Sequence, residues 1–472
     1  MLPPDARPDL RVASARGRWV LFTTVVGSGM GFLDATVVNV ALRRIGLDLG
    51  AGTGGLQWIL NGYLLALAAL ILLGGSLGDR FGRRRLYLIG VAWFTLASVL
   101  CGLAPDVRTL VAARVLQGVG AALLTPGSLA ILQASFHPDD RARAIGLWSA
   151  FGGLASLVGP LLGGWLVDAA SWRWIFLLNV PLAAVVLVAG RRHLPETSDD
   201  QASGHLDVIG AVLGALALAG VTEALVEAPS RGWTAPLPVA SALVGVGAAV
   251  GFVVAERRQR EPMLPLGLFS SRQFRAANLT TLALYAALGG QLFLLAVHLQ
   301  TSLGYSPLES GTALIPVTLC MLTLSGRAGA LAQRIGPRLP MTVGPVVVAA
   351  GLVLMTRIRP GTHYAATVLP AALVFGLGLA CTVAPLTAAV LAAVEDRHVG
   401  VASGVNNAVA RAAQLLAVAV LPAVAGITGA GYRDPATLAR GFRRAALVTA
   451  ALSLAAALAS WRGISATPRE RS

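Results

Sequence analysis

The chain has 472 residues, is 56% hydrophobic and only 12% charged, and carries a formal charge of +15; a soluble domain holds roughly a quarter charged residues. Apolar stretches near the roughly 20 residues needed to cross a bilayer recur from Trp19 almost to the C-terminus, which excludes a water-soluble fold and leaves no sizeable soluble domain. The basic residues sit in short hydrophilic breaks between those stretches rather than along one face of a module, so they speak for membrane orientation and against nucleic acid.

Residues 1–18 carry Arg7, Arg11, Arg16 and Arg18 ahead of the first apolar run. That run is too long for a signal-peptide core and lacks a convincing cleavage site, so it is expected to remain as the first membrane helix. The first six predicted helices are Trp19–Ala41, Leu56–Leu73, Leu86–Leu103, Leu110–Gln133, Ala142–Val167 and Trp174–Ala189. Two more, Val208–Val226 and Pro238–Ala255, precede a last six: Ala276–Leu299, Leu308–Ala330, Met341–Met355, Ala365–Ala393, Val401–Ile427 and Ala445–Ser460. Fourteen crossings place both ends on one side of the membrane. Arginines are roughly twice as numerous in the connections on that side, so the positive-inside rule makes both termini cytoplasmic. Arg433, Arg440, Arg443 and Arg444 run against this trend, on the expected outer side.

An internal repeat supports the division of the chain. Gly75–Arg84, GSLGDRFGRR, aligns with Gly329–Arg338, GALAQRIGPR, with Gln333 in place of Asp79. Two similar six-helix units explain it. The expected organisation is a cytoplasmic N-terminus at 1–18, a bundle at 19–193, two additional helices at 206–255, a second bundle at 274–461 and a cytoplasmic tail at 462–472.

Several chemistries are excluded. All 37 basic residues are Arg, and a phosphate-binding P-loop needs Lys. Cys101, Cys320 and Cys381 lie singly in apolar segments, and His137, His193 and His298 are scattered near segment ends, so neither a metal nor a cofactor site is expected. With no nucleophile–base constellation either, the chain does not read as an enzyme.

The residues that do carry chemistry lie inside the apolar spans. Asp34 is the acidic residue well inside the first helix; a carboxylate there costs several kcal/mol unless protonated, paired or hydrated, which makes it a candidate proton carrier. A structural hydrogen bond between helices is the plain alternative. Arg114 lies in RVLQGVGAA, about a turn from the end of its expected helix, and calls for a carboxylate or a backbone carbonyl as partner unless it snorkels to the interface. Arg411 also falls inside a helix. In the fifth span, Ala155, Gly159 and Gly163 stand at i, i+4 and i+8, with Pro160 and Gly164 beside them; small residues so spaced allow close helix packing, and Pro160 sets a bend.

Taken in order, the motifs resemble those of the fourteen-helix drug:proton antiporter branch of the major facilitator superfamily. LDATVVNVAL (33–42) resembles its first-helix motif, GSLGDRFGRRR the cytoplasmic loop motif, RVLQGVGAA the fourth-helix motif and GPLLGG (159–164) the antiporter motif. SWRWIFLLNVP, PMLPLGLF, LGYSPLESG and GVASGVNN continue the resemblance over nearly the whole chain. Arg43 stands where the first motif has Pro, and the helix after Asn407 lacks the family's glycines.

The resemblance implies an all-α membrane protein of the major facilitator fold: two pseudo-symmetric six-helix bundles plus two extra central helices. It implies a proton-coupled exporter of small amphipathic compounds in the cell's inner membrane, working by alternating access as a single chain with no cofactor. Its partners are a small-molecule substrate, protons and the lipid bilayer. A proton-coupled importer and a non-transporting membrane sensor are the alternatives. Asp34 is then the proton acceptor, with Arg114 modulating it electrostatically. Gly75, Asp79, Arg80, Gly82, Arg83, Arg84 and Arg85 form a cytoplasmic gate, with Asp79 facing the start of the thirteenth helix near Gly400–Gly404. In the antiporter motif of Gly159, Pro160, Gly163 and Gly164, Gly159 and Gly163 are expected to seal the fifth helix against the other half. Asn39, Trp58, Tyr63, Gln117 and Asn407 are the expected substrate-cavity residues.

Overall fold

Helix-forming apolar runs, closed by cap residues, account for almost the whole molecule. A computed structural model describes residues 10–198, 206–259, 262–395 and 399–466. The first six helices are α1 (Ala15–Asp48), α2 (Thr53–Phe81), α3 (Arg83–Gly102), α4 (Val107–Ser135), α5 (Pro138–Ala169) and α6 (Trp174–His193, with a turn at Leu178). A hairpin of α7 (Val208–Arg231) and α8 (Pro236–Arg258) follows. The last six are α9 (Arg272–Ser302), α10 (Pro307–Ile335, with a turn at Ala313 and Leu314), α11 (Arg338–Met355), α12 (Tyr364–Leu391), α13 (Val399–Val424) and α14 (Pro435–Gly463). Among the described residues thirteen of these helices hold a window apolar enough to span a bilayer. The other, α5, is a continuous helix of 32 residues.

Several helices start earlier than their apolar cores indicate, because caps rather than hydropathy set helix ends. Asp106 accepts from Thr109 N and starts α4 at Val107. Asp434 accepts from Thr437 N and starts α14 at Pro435, ten residues before the expected Ala445, which puts Arg440, Arg443 and Arg444 on its first turns. The N-terminal segment is more than a tail: Leu10 pairs with Ser135 and His137, and Val12 N donates to Asp140, docking it on the turn between α4 and α5. Of the expected termini, residues 1–9 and 467–472 lie outside the described residues.

The sequence repeat is repeated in the backbone. Gly82 ends α2 at φ 102° and Gly336 ends α10 at φ 86°. Side chains rarely adopt such angles, so each loop motif needs its glycine at the same point of a helix–turn–helix. In the first half α2 and α3 pack on α4, and α1 packs on α5; in the second, α10 and α11 pack on α12, and α9 packs on α13 and α14. The halves meet where α2 runs along α13, α5 meets α10 and α1 meets α9. Helix α7 leans on both α2 and α13 at that seam, while α8 rests on α7 with only 11% of its apolar window buried.

Candidate functional site

At the centre of the first half, five helices converge on one carboxylate. Asp34 and Arg114 are each 1% exposed, so both are shielded from water and lipid and must find partners in the protein. Arg114 Nη1 donates to Asp34 Oδ2 at 2.6 Å and to Gln117 Oε1 at 2.7 Å, while its Nε donates to Ile59 O at 3.1 Å. Gln117 Nε2 donates to Asp34 Oδ1 at 2.8 Å, so each carboxylate oxygen has its own donor. Ser98 and Asn179 extend the network from α3 and α6: Gln117 Nε2 and Asn179 Nδ2 both reach Ser98 Oγ, at 3.2 and 3.0 Å, and Ser98 passes its own proton to Phe176 O. The guanidinium lies over the Tyr63 ring, 4.5 Å from its centroid, with Phe176 at 5.7 Å. Charge, hydrogen-bond and cation–π partners together repay part of its burial.

Arg114 therefore has both kinds of partner expected from its position. Snorkelling is excluded: because α4 begins at Val107, Arg114 lies two turns inside rather than one, with its side chain turned into the bundle. Of the expected cavity residues, Gln117 and Tyr63 belong to this network and are 0% and 3% exposed. The remaining three stand apart from it. Asn39 donates to Ala35 O on its own helix and Asn407 to Ser403 O on its own; Trp58 lies beside Glu223 of α7, within hydrogen-bonding reach of its carboxylate.

The loop motif forms a compact corner. Arg83 Nε bonds Asp79 Oδ1 at 2.8 Å, and Arg80 lies over the Phe81 ring. Arg84 N donates to Glu196 Oε1, Arg84 Nη2 to Arg191 O and Arg83 N to Thr197 O, so the last turn of α6 and the chain after it clasp the turn. A Cβ on Gly82 would fall 2.7 Å from Glu196 Oε1. Gly75 meets Pro126 of α4, and Arg85 is exposed. Helix α2 approaches the start of α13 through Leu72, 2.7 Å from where a Gly404 Cβ would stand.

The antiporter motif divides between two partners, which corrects one expectation. Gly159 and Gly163 face α1 within the same half: a Cβ on either would strike Thr36 Oγ1 or, at 2.7 Å, Val37 Cγ1. It is Pro160 and Gly164, one residue on and so rotated by about 100°, that face the other half. A Gly164 Cβ would lie 2.5 Å from Leu308 Cα on α10, and a Gly311 Cβ would strike Pro160 O. At the same end, opposite the termini, Leu308 N donates to Asp168, Gln57 Nε2 to Val418 O and Ala419 O, and Gln300 Nε2 to Val40 O. These contacts seal that end of the seam.

Sequence reasoning passed over two groups whose signal was present. Glu223, Glu227 and Glu256 are acids within or bordering the apolar spans of the hairpin, the same warning that singled out Asp34. Arg411 was noted inside a helix without a role; it lies near enough to act electrostatically on Tyr63 across the seam and on Tyr285.

Two six-helix bundles, a hairpin at their seam and a buried acid–base pair define a polytopic membrane protein of the transporter class. The sequence model described as Major Facilitator Superfamily matches residues 24–418 and 278–472, and the chain belongs to that superfamily, in its drug-efflux branch. It is 37% identical to the puromycin resistance protein pur8 of Streptomyces alboniger over 89% of this chain and 84% of that one. It is 36% identical to the multidrug resistance protein Stp of Mycobacterium tuberculosis, over 85% and 75%. The tetracenomycin C resistance and export protein of Streptomyces glaucescens is also 36% identical, over 89% and 78%. Among solved structures, a POT family transporter superposes with TM-score 0.71 at 13% identity, over 95% of this chain and 97% of that one, which shows the shared fold.

Proposed function

We propose that the chain is a proton-coupled antiporter that exports small amphipathic compounds, with both termini on the cytoplasmic side of the cell membrane. One observation carries the reading: in a chain whose relatives are named for resistance and export, a buried acid and a buried base are held on each other, Asp34 on Arg114. Removing one partner of such a pair typically costs about 3–5 kcal/mol, because the other charge stays buried and unpaired. A proton arriving at Asp34 does this chemically. It neutralises the carboxylate to which Arg114 and Gln117 donate and leaves the guanidinium, still tethered to Ile59 O, without its counter-ion. Water or a new partner then relieves Arg114, and both become available when the helices around it separate. Proton release restores the pair and closes them again.

The rest of the machinery follows from where the halves touch. Pro160 and Gly164 against Leu308 and Gly311 form the outer seal that must part for substrate to leave. The corner of Asp79, Arg80, Gly82, Arg83 and Arg84 is the inner latch, engaging the first turns of α13 when that side closes; the approach of Leu72 to Gly404 supports this. Tests use proteoliposomes with a trapped pH indicator and a compound panel that includes puromycin. Wild type moves protons against the exported compound, and Asp34→Asn at equal protein does not. Compound export without proton movement, or unchanged coupled flux in Asp34→Asn, overturns the reading.

A further inference from the structure

Away from the seam, at the end of the molecule that holds both termini, a cavity of about 610 Å³ opens where α9 and α11 begin and α14 ends. Arg272, Arg338 and Arg462 line it together with Gln273 and Trp461, and among the described residues no acidic side chain lines it. Among the described residues, none of the three arginines has a carboxylate within ion-pairing distance. Arg272 donates to the backbone carbonyl of Arg462, which ties the start of α9 to the end of α14. Arg338 is stacked on the Trp461 ring, 3.9 Å from its centroid, and its Nε is buried without a hydrogen-bond partner. Three cations around one cavity with no counter-ion among the described residues, one with an unmet donor, call for an anion with several acceptor oxygens.

The surroundings decide which anion. Trp461 is 50% exposed, and below it on α14 Leu458 and Leu454 continue the same outward face. On α11, which packs against α14, Leu339, Val343 and Val346 form a matching exposed stripe leading away from Arg338. A half-exposed Trp beside arginines at the end of an apolar stripe marks the headgroup level of a bilayer. An acyl chain fits the two stripes; a free phosphate has no use for them.

We propose that this cavity binds the phosphodiester headgroup of an anionic phospholipid, with Arg272, Arg338 and Arg462 as its cationic ring and the stripes of α11 and α14 as its acyl-chain track. The site is separate from the proton-coupling network and holds whichever way transport is driven.

The test is lipid binding to the full-length, delipidated protein, followed by native mass spectrometry with phosphatidylglycerol or phosphatidylcholine as probe. Phosphatidylglycerol binds more tightly than phosphatidylcholine to wild type, and each of Arg272→Gln, Arg338→Gln and Arg462→Gln weakens it about fivefold. Arg258→Gln, an exposed charge at the end of α8 outside the cavity, leaves binding unchanged. Equal retention of phosphatidylglycerol by wild type and the triple variant, or an equal loss in Arg258→Gln, overturns the site. Inorganic phosphate is added as competitor: failure to displace the lipid supports the assignment, and displacement at concentrations similar to the lipid's own overturns the lipid as ligand. Arg462→Gln keeps the test interpretable should Arg338→Gln disturb the Trp461 stack, since the Arg462 contact with α9 uses its backbone carbonyl.

Discussion

Gly164→Ala is expected to open the outer seal, and the geometry gives the size of the effect. The added methyl would stand 2.5 Å from Leu308 Cα and 2.8 Å from Leu308 N and Pro307 O. All three are backbone atoms, so no rotamer change relieves them. Ordinary contact begins near 3.4 Å, so α5 and α10 must part by about 1 Å. Overpacking of that kind costs typically about 1–3 kcal/mol, and here it falls only on the state in which the outer ends touch. The closed-to-open ratio should therefore fall by between about fivefold and 150-fold. Gly159→Ala is the control, because its methyl meets the Thr36 hydroxyl inside the same half; it should lower stability without shifting the ratio. Spin labels on the exposed outer residues Leu47 and Arg433, read by double electron–electron resonance, report the separation of the halves directly. A Gly164→Ala distance distribution identical to wild type, or a shift as large in Gly159→Ala, refutes the division of the motif between α1 and α10.

Asp34→Asn leaves Arg114 buried without a counter-ion and should destabilise the protein by about 3–5 kcal/mol; Asp34→Asn with Arg114→Gln should recover much of that loss, and melting curves in detergent that show simple additivity would rule out the coupled pair. Gly82→Ala forces a side chain to φ 102° and against Glu196, so its thermal midpoint should fall by an amount matching a cost of about 1–3 kcal/mol; an unchanged midpoint would show that the corner relaxes freely. The Asp434 carboxyl is held below the ordinary value of 3.8 by its hydrogen bonds from Thr437. A depressed folded-state value means the stabilisation is present above 3.8 and is lost as pH falls through the lower folded value. Asp434→Ala should accordingly melt below wild type at neutral pH and match it in strong acid; a gap that persists in acid would assign the effect to something other than this cap.

Much of the architecture is legible in the sequence, because a bilayer forces every span to announce itself as an unbroken apolar run with its backbone bonded internally. The count of fourteen helices follows from that constraint, while the repeat around Gly82 and Gly336 is legible in the matching loop motifs GSLGDRFGRR and GALAQRIGPR. Helix ends were less legible: Asp106 and Asp434 extend α4 and α14 beyond their apolar cores, and hydropathy does not register a cap. Asp34 and Arg114 stood out singly for the same reason the spans did, as charges where charge is costly. Their pairing, and the recruitment of Gln117, Ser98 and Asn179, depends on how five helices rotate about their axes. A small-residue motif conveys that helices approach closely and not which ones, so GPLLGG left open that Gly159 and Gly163 serve α1 while Pro160 and Gly164 serve α10. The sequence by itself determined the spans, the repeat and which residues could not rest in lipid unaided. Only the tertiary structure decided their partners, because a helix face acquires a neighbour through packing between segments tens to hundreds of residues apart, and no local pattern encodes that angle.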